Sequence, residues 1–154
     1  MKILKILFFA ISIINVHESM SQNIASYQWE NRVLLILTED IHATTFQNQI
    51  KELQTHKTGL IERKLIIYQI KKHTYTLGLK GDKWQNSSKL YKTYKSTHTP
   101  FEIKLIGLDG GVKLRQIDLL TCEKLFKTID VMPMRKAELQ RKKNKIKNKN
   151  QNFP

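Results

Sequence analysis

The sequence predicts an α/β domain in which helices flank a mixed β-sheet. Two runs of consecutive apolar residues, 32–37 and 65–70, are typical of strands buried on both faces of a sheet. The segment between them has helical apolar spacing, and a helix that connects two strands of one sheet makes those strands parallel. A glycine-rich turn at residues 109–111 then predicts an antiparallel hairpin, so the sheet is mixed.

The strand–helix–strand order at the start of this domain follows from the spacing of apolar side chains. Residues 38–40 follow the first apolar run and supply turn and N-cap chemistry. Phe46, Ile50 and Leu53 then recur at spacings of four and three residues, with polar residues between them. This pattern predicts an amphipathic helix that ends between residues 56 and 59.

Between the second strand and the hairpin, the sequence predicts a loop, a short helix and a strand. Residues 71–88 are polar and contain two glycines, which favours a long loop. Ser87 or Ser88 is suited to cap a short helix. Residues 101–105 alternate apolar and charged side chains, which is the pattern of a strand with one buried face and one exposed face.

A hairpin and a helix complete the predicted domain. Asp-Gly-Gly at residues 109–111 is a hairpin signal because such turns require positive φ angles, which glycine adopts readily. Residues 112–115 are expected to return as the antiparallel strand. Thr121 is suited to cap the last core helix, and Pro133 is expected to mark its end.

Residues 1–21 have the pattern of a secretory signal peptide. A basic start precedes an apolar run at residues 6–16. That run is shorter than the ~20 apolar residues that span a bilayer. Small residues Ser19 and Ser21 precede a cleavage expected before Gln22. The protein is therefore expected to be secreted or periplasmic, and the alternatives are a buried N-terminal helix and an uncleaved anchor.

Positive charge is concentrated beyond the predicted core. The 154 residues carry a formal charge of +14, and residues 135–154 contribute +7 of it from eight Lys or Arg against Glu138 alone. Because that segment is almost without apolar side chains, residues 136–154 are expected to form a disordered basic tail, helical only in its first turn. Flexible positive charge attracts polyanions. The cations expected to do so are Arg141, Lys142, Lys143, Lys145, Lys147 and Lys149.

Three segments resemble a known family. Residues 27–35 (YQWENRVLL), 105–115 (LIGLDGGVKLR) and 129–135 (IDVMPMR) are similar, in order and spacing, to the opening strand, hairpin and closing motif of domain-of-unknown-function family 4174 (DUF4174). The resemblance implies one thioredoxin-like domain over residues 22–135, which agrees with the element order derived above. It also implies relatives among bacterial exported proteins and repeated domains of extracellular-matrix proteins of the sushi-repeat and Equarin type.

The resemblance does not bring the redox chemistry of thioredoxin with it. A thioredoxin-like redox enzyme keeps Cys-x-x-Cys where the first strand meets the first helix, because the helix N-terminus stabilises the thiolate. Residues 38–45 at this junction contain no cysteine. Thr99-Pro100 precedes a strand, where such folds usually place a cis-proline, and both isomers remain open.

Cys122 is the only cysteine, so an exported form of this domain has no internal disulfide framework. Its place in the first turn of the last helix allows a lowered pKa and a redox role. The alternative is a small residue that is half-packed at a helix start.

The remaining candidates are charged residues and histidines. No His, Cys, Asp or Glu spacing predicts a metal site, His42 beside Asp40 being the best placed, and no cofactor is expected. The charged residues of the family-like motifs are a possible binding surface: Arg32, Asp109, Lys113, Arg115 and Arg135. The alternatives are structural, namely a turn cap for Asp109, a hairpin flank for Arg115 and a salt bridge to the body for Arg135.

Taken together, these features favour an exported non-enzymatic binding or adhesion domain. Its basic tail is expected to meet anionic polysaccharide, lipopolysaccharide or extracellular DNA, and a merely solubilising tail is the alternative for that segment. The alternative from another class is a divergent thiol-redox or peroxide-defence protein that uses Cys122.

Overall fold

Helices cover both faces of one β-sheet in the computed structural model, which describes residues 24–96 and 98–151. The predicted signal peptide, residues 1–21, lies outside the described residues. The strands are β1 (Arg32–Thr38), β2 (Leu65–Ile70), β3 (Thr74–Leu77), β4 (Gln85–Asn86), β5 (Phe101–Ile106) and β6 (Val112–Gln116). The helices are α1 (Thr44–Thr55), α2 (Lys57–Glu62), α3 (Ser88–Tyr94), α4 (Cys122–Asp130) and α5 (Pro133–Gln151), after a 3-10 turn at Ile24–Tyr27.

The sheet is mixed, as predicted. Its strand order is β4-β3-β2-β1-β5-β6. The two apolar runs, β1 and β2, lie side by side and parallel, with Arg32 opposite Leu65 and Leu37 opposite Ile70. The other four neighbouring pairs are antiparallel.

The core lies on both faces of the sheet, because alternate residues of β1 point to opposite sides. Leu34 and Ile36 pack with side chains of α1, α2 and α4. Val33, Leu35 and Leu37 pack with β2, β3, α3 and the 3-10 turn. This two-sided burial explains why β1 is an unbroken apolar run.

The half-exposed pattern predicted for β5 is wrong, because α3 covers its second face. Glu102 and Lys104 are buried with the rest of the strand. Lys104 Nζ donates to the main-chain oxygen of Tyr94 at the end of α3 and lies 3.5 Å from Glu102 Oε1. Ser96 also donates its N–H to Glu102 Oε2 at 3.0 Å. The charged side chains of β5 are therefore paired internally.

The loop predicted for residues 71–88 is also wrong in part, because it contains the strands β3 and β4. Tyr75 to Leu77 pair with β2, and Tyr75 and Thr76 are buried there. Main-chain hydrogen bonds to a neighbouring strand, and not apolar alternation, fix this edge of the sheet. The predicted cap of α3 is confirmed, since Ser87 Oγ accepts the N–H of Leu90 at 3.4 Å.

The hairpin and the cap of α4 are confirmed. Gly110 has a φ of +79°, and Asp109 Oδ1 accepts the N–H of Gly111 at 3.1 Å, so Asp109 caps its turn. Thr121 Oγ1 accepts the N–H of Lys124 at 3.3 Å. No cis peptide bond occurs in residues 24–96 and 98–151, so Thr99–Pro100 is trans.

The disordered basic tail is a wrong prediction, because α5 continues as a helix from Pro133 to Gln151. Proline suits the first helical position, where its missing N–H has no partner to lose. No Gly or Pro follows within the helix, and its Lys, Arg, Gln, Ala and Leu residues favour helix. Contacts in its first two turns, described below, offset the cost of helix nucleation.

No helix among the described residues is long and apolar enough to cross a membrane.

Candidate functional site

A buried ionic network joins the start of β1 to the start of α5. The Arg32 side chain is fully buried, and its Nη1 lies 3.3 Å and 3.4 Å from the two carboxylate oxygens of Glu138. Its Nη2 lies 3.4 Å from Glu138 Oε1, and Nη1 also donates to the main-chain oxygen of Arg63 at 3.1 Å. Glu138 thus receives a forked pair of hydrogen bonds from a guanidinium group that water does not reach.

Arg135 completes this network from α5. Its guanidinium, only 6% exposed, donates to Asp130 Oδ1 at 3.2 Å, to Glu138 Oε2 at 3.3 Å and to Glu62 Oε1 at 3.2 Å. Burial on its own raises the pKa of Asp130, but hydrogen bonds from Arg63 and Arg135 outweigh it and hold that pKa below its usual value. The expectation that Arg135 forms a salt bridge back to the body is confirmed.

The network corrects the predicted binding surface at two of its five positions. Arg32 and Arg135 are buried and paired, so they hold α5 against the body and do not face solvent. Sequence reasoning missed Glu138 and Glu62 as partners. The only local signal was the three-residue spacing of Arg135 and Glu138, which lies on one face of a helix.

The other three charged residues of the predicted surface lie on the β5–β6 hairpin. Lys113 Nζ and Asp109 Oδ2 are 2.5 Å apart, and hydrogen bonds from Lys113 and from the N–H of Gly111 lower the pKa of Asp109. Arg115 Nε lies 3.5 Å from the buried Glu102. Each of the three therefore has a structural partner.

The three family-like segments nevertheless meet in space. A shallow cleft of about 270 Å³ is lined by Arg32 from the first segment, by Gly107 to Asp109 and Lys113 from the second, and by Met132 to Met134 from the third. Its lining is mainly apolar, with the Asp109–Lys113 pair among it. The motifs are therefore coupled by packing, and the cleft offers apolar contact to a ligand.

A continuous run of exposed positive charge lies on α5 beyond this network. We call residues 136–149 the basic helix. Its cations are Lys136, Arg141, Lys142, Lys143, Lys145, Lys147 and Lys149, and all of them are exposed. At a rise of 1.5 Å per residue they extend over about 20 Å.

The cations of the basic helix lie on more than one side of it. Arg141, Lys145 and Lys149 follow one another at four-residue spacing and form one row along the helix. Lys143 and Lys147 form a second row on the opposite side. A polyanion can therefore approach the helix from several directions.

Cys122 is more deeply buried than its place at a helix start suggested. It has no exposed surface, and burial, with the nearby Glu52 carboxylate, raises its pKa to about 12. The positive end of α4 does not overcome these two effects, so the pKa is not lowered as the helix position allowed. The N–H of Cys122 donates to Glu52 Oε1 at 2.8 Å.

A third residue, His56, joins Cys122 and Glu52. One ligand atom from each of the three lies within 4.8 Å of the others. His56 Nδ1 is 3.8 Å from Glu52 Oε1 and 2.9 Å from the main-chain oxygen of Glu52. Sequence reasoning missed this cluster, although the four-residue spacing of Glu52 and His56 was a local signal. His42 lies outside it, and the N–H of His42 donates to Asp40 Oδ1 at 2.8 Å.

Comparisons with known proteins agree with the fold described above. The sequence model of the family described as Domain of unknown function (DUF4174) matches residues 23–138. Among solved structures, the chain is similar to the reduced 2-Cys peroxiredoxin of Plasmodium vivax, with a TM-score of 0.51 and 16% sequence identity over 70% of this chain and 80% of that chain. This likeness confirms the thioredoxin-like fold and no more than the fold. Comparison with curated proteins gives no match.

Proposed function

We propose that this chain, which belongs to the family described as Domain of unknown function (DUF4174), is an exported, non-enzymatic domain that binds anionic polymers or surfaces. The observation that carries the proposal is the basic helix, which presents seven exposed cations on one continuous element. Closely spaced phosphate, sulfate or carboxylate groups are the chemistry that such an element attracts.

The anchoring of α5 favours binding over mere solubility. Arg32, Glu138 and Arg135 fix its first turns to the body, so the cations beyond them extend from an anchored helix. A preorganised array loses less conformational entropy on binding than a flexible tail does. Like charges four residues apart also destabilise a helix, and a bound polyanion relieves that repulsion.

The polymers that fit this chemistry are anionic polysaccharide, lipopolysaccharide and extracellular DNA. Export is part of the proposal, and it rests on the signal-peptide pattern of residues 1–21. Mass measurement of the mature N-terminus tests it, with Gln22 as the expected first residue. A relation to the repeated domains of extracellular-matrix proteins of the sushi-repeat and Equarin type is likewise proposed, and it would place this scaffold among extracellular binding modules.

The alternative function, a thiol-redox or peroxide-defence protein, has less support. The thiolate is the nucleophile in such chemistry, and a thiol with a pKa of about 12 is almost wholly protonated at neutral pH. Cys122 is also fully buried. Assays of insulin reduction and peroxide consumption, with Cys122→Ser as the control, are expected to show no turnover by the unmodified protein. Turnover that Cys122→Ser abolishes would establish the alternative.

The decisive experiment compares two variants that lose the same charge from different places. In the first, five lysines or arginines of the basic helix become Gln: Arg141, Lys143, Lys145, Lys147 and Lys149. In the second, five exposed lysines of the body become Gln: Lys51, Lys72, Lys83, Lys89 and Lys92. Affinity for heparin, lipopolysaccharide and duplex DNA is measured for both and for the unmodified protein over a salt series.

The helix variant is expected to lose most of its affinity, and the body variant little. For DNA, log K falls with log salt at a slope of about −0.9 per neutralised phosphate, so a duplex that lies along the row of Arg141, Lys145 and Lys149 loses three contacts, and the slope falls by about 3. Equal losses in the two variants would mean that net charge alone is responsible, and the proposal would fail. Lys142 is left unchanged because it lies 3.8 Å from Glu62 and belongs partly to the body.

A further inference from the structure

We propose that Glu52, His56 and Cys122 form a binding site for a divalent zinc-type cation. The site is independent of the basic helix and of polyanion binding. Glu52 and His56 are four residues apart at the end of α1, so their side chains lie on one face of it. Cys122 begins α4, which packs against that face.

The separations of the ligand atoms fit a tetrahedral ion with small side-chain adjustments. Zinc lies about 2.0–2.2 Å from His nitrogen and carboxylate oxygen and about 2.3 Å from thiolate sulfur, so its ligand atoms are about 3.3–3.7 Å apart. His56 Nδ1 and Glu52 Oε1 are 3.8 Å apart, and all three ligand atoms lie within 4.8 Å of one another. Movements of about 1 Å therefore close the site around an ion.

Main-chain groups hold the carboxylate and the sulfur in place. The N–H of Cys122 donates to Glu52 Oε1 at 2.8 Å, and without an ion the Cys122 thiol donates to the main-chain oxygen of Glu52, 3.8 Å from Sγ. Ligands of protein-bound metals are commonly oriented by such outer hydrogen bonds. That main-chain oxygen also accepts the Nδ1–H of His56 at 2.9 Å. As an ion binds, the imidazole proton therefore moves from Nδ1 to Nε2 and the thiol proton is released to water, which frees both ligand atoms.

The donor set and its exposure indicate the class of metal. One thiolate, one imidazole and one carboxylate suit zinc better than the oxygen-preferring magnesium and calcium ions. Cys122 is buried, whereas the side chains of Glu52 and His56 are 26% and 42% exposed, so an ion reaches the cluster from the His56 side. Three protein ligands leave a fourth position for water or for a group of a bound partner.

Cobalt titration of the reduced, tag-free full-length protein tests this site. Binding is expected to produce a thiolate-to-cobalt charge-transfer absorption in the near ultraviolet. Zinc is expected to displace the cobalt, and this absorption then disappears. Cys122→Ser is expected to abolish this absorption. Loss of a residue that only hydrogen-bonds to a metal ligand weakens metal binding roughly 10- to 100-fold. His56→Gln removes a ligand itself, so it is expected to weaken binding by at least this much.

His42→Gln is the matched control, because His42 is also exposed and also lies beside a carboxylate. It is expected to leave cobalt and zinc affinity unchanged. His56 is on the surface, so His56→Gln is expected to fold even if the buried Cys122→Ser does not. Absence of a saturable thiolate–cobalt absorption in the unmodified protein, or equal zinc affinity in the His56→Gln and His42→Gln variants, would overturn the proposal.

Discussion

Replacing Glu138 by Gln tests whether the buried network holds α5 to the body. Gln has nearly the same shape as Glu and can still accept a hydrogen bond, but it carries no charge. The Arg32 guanidinium then remains fully buried without a carboxylate partner, and its acceptors are the amide oxygen of the Gln and the main-chain oxygen of Arg63. Its Nε already has no hydrogen-bond partner within the described structure.

The expected loss of unfolding free energy is about 2 kcal/mol. Removing one partner of a buried ion pair costs about 3–5 kcal/mol when both charges are fully buried. Two facts lower this figure here. Glu138 is 21% exposed, and the amide oxygen of Gln still accepts hydrogen bonds from Arg32. These are neutral-acceptor bonds of about 0.5–1.5 kcal/mol in place of charged ones of about 1.5–3 kcal/mol. Arg135 loses less, because it keeps Asp130 and Glu62.

Urea unfolding followed by circular dichroism measures this loss, with an unchanged slope against urea as the sign that compactness is unaltered. Glu30→Gln, an exposed position, is the control for removing one negative charge, and is expected to stay within about 0.5 kcal/mol of the unmodified protein. The Glu138→Gln difference is expected to persist at high salt, because buried pairs are screened much less than surface pairs.

The double variant Arg32→Met with Glu138→Gln tests the contact itself. Because the two side chains touch, the double variant is expected to cost less than the two single variants added, by about 1–2 kcal/mol. If Glu138→Gln lies within 0.5 kcal/mol of the unmodified protein, or if the two changes add without coupling, the network does not anchor α5.

Two further predictions concern other buried contacts. Asp130→Asn is expected to lower the free energy of unfolding near neutral pH. The gap to the unmodified protein is expected to shrink as pH falls below about 4, because a carboxylate whose pKa is lowered by folding loses its stabilising effect as it protonates. A gap in unfolding free energy that stays constant in urea down to about pH 2 contradicts this. Gln49→Leu is expected to cost about 2–3 kcal/mol, because the N–H and the oxygen of Leu120 lose their buried partner at 2.8 Å and 3.0 Å. The exposed Gln140→Leu is the control, and equal thermal stability of the two variants would refute the role of Gln49.

Local patterns in the sequence determined a large part of this fold. The apolar runs of β1 and β2 and the four-and-three spacing of α1 identified those elements, because side-chain periodicity reports burial directly. The turn at Asp109 and the cap at Thr121 were equally local, since each depends on hydrogen bonds within a few residues.

Elements without such a pattern were missed or misjudged. The strands β3 and β4 are polar and short, and they exist because β2 offers an edge to pair with. Glu102 and Lys104 are buried because α3 covers them, although alternation in β5 predicted exposure. The basic helix follows from residues of high helix propensity joined to an anchored first turn.

The sequence by itself determined the thioredoxin-like order of elements, the concentration of positive charge at the C-terminal end and the single cysteine. Only the tertiary structure decided which of its charged residues are accessible and which are paired. Arg32 and Glu138 are 106 residues apart, and Cys122 and Glu52 are 70 apart. Contacts over such separations leave no period or spacing in the chain, because the packing of the sheet and its helices, and not neighbouring residues, brings the partners together.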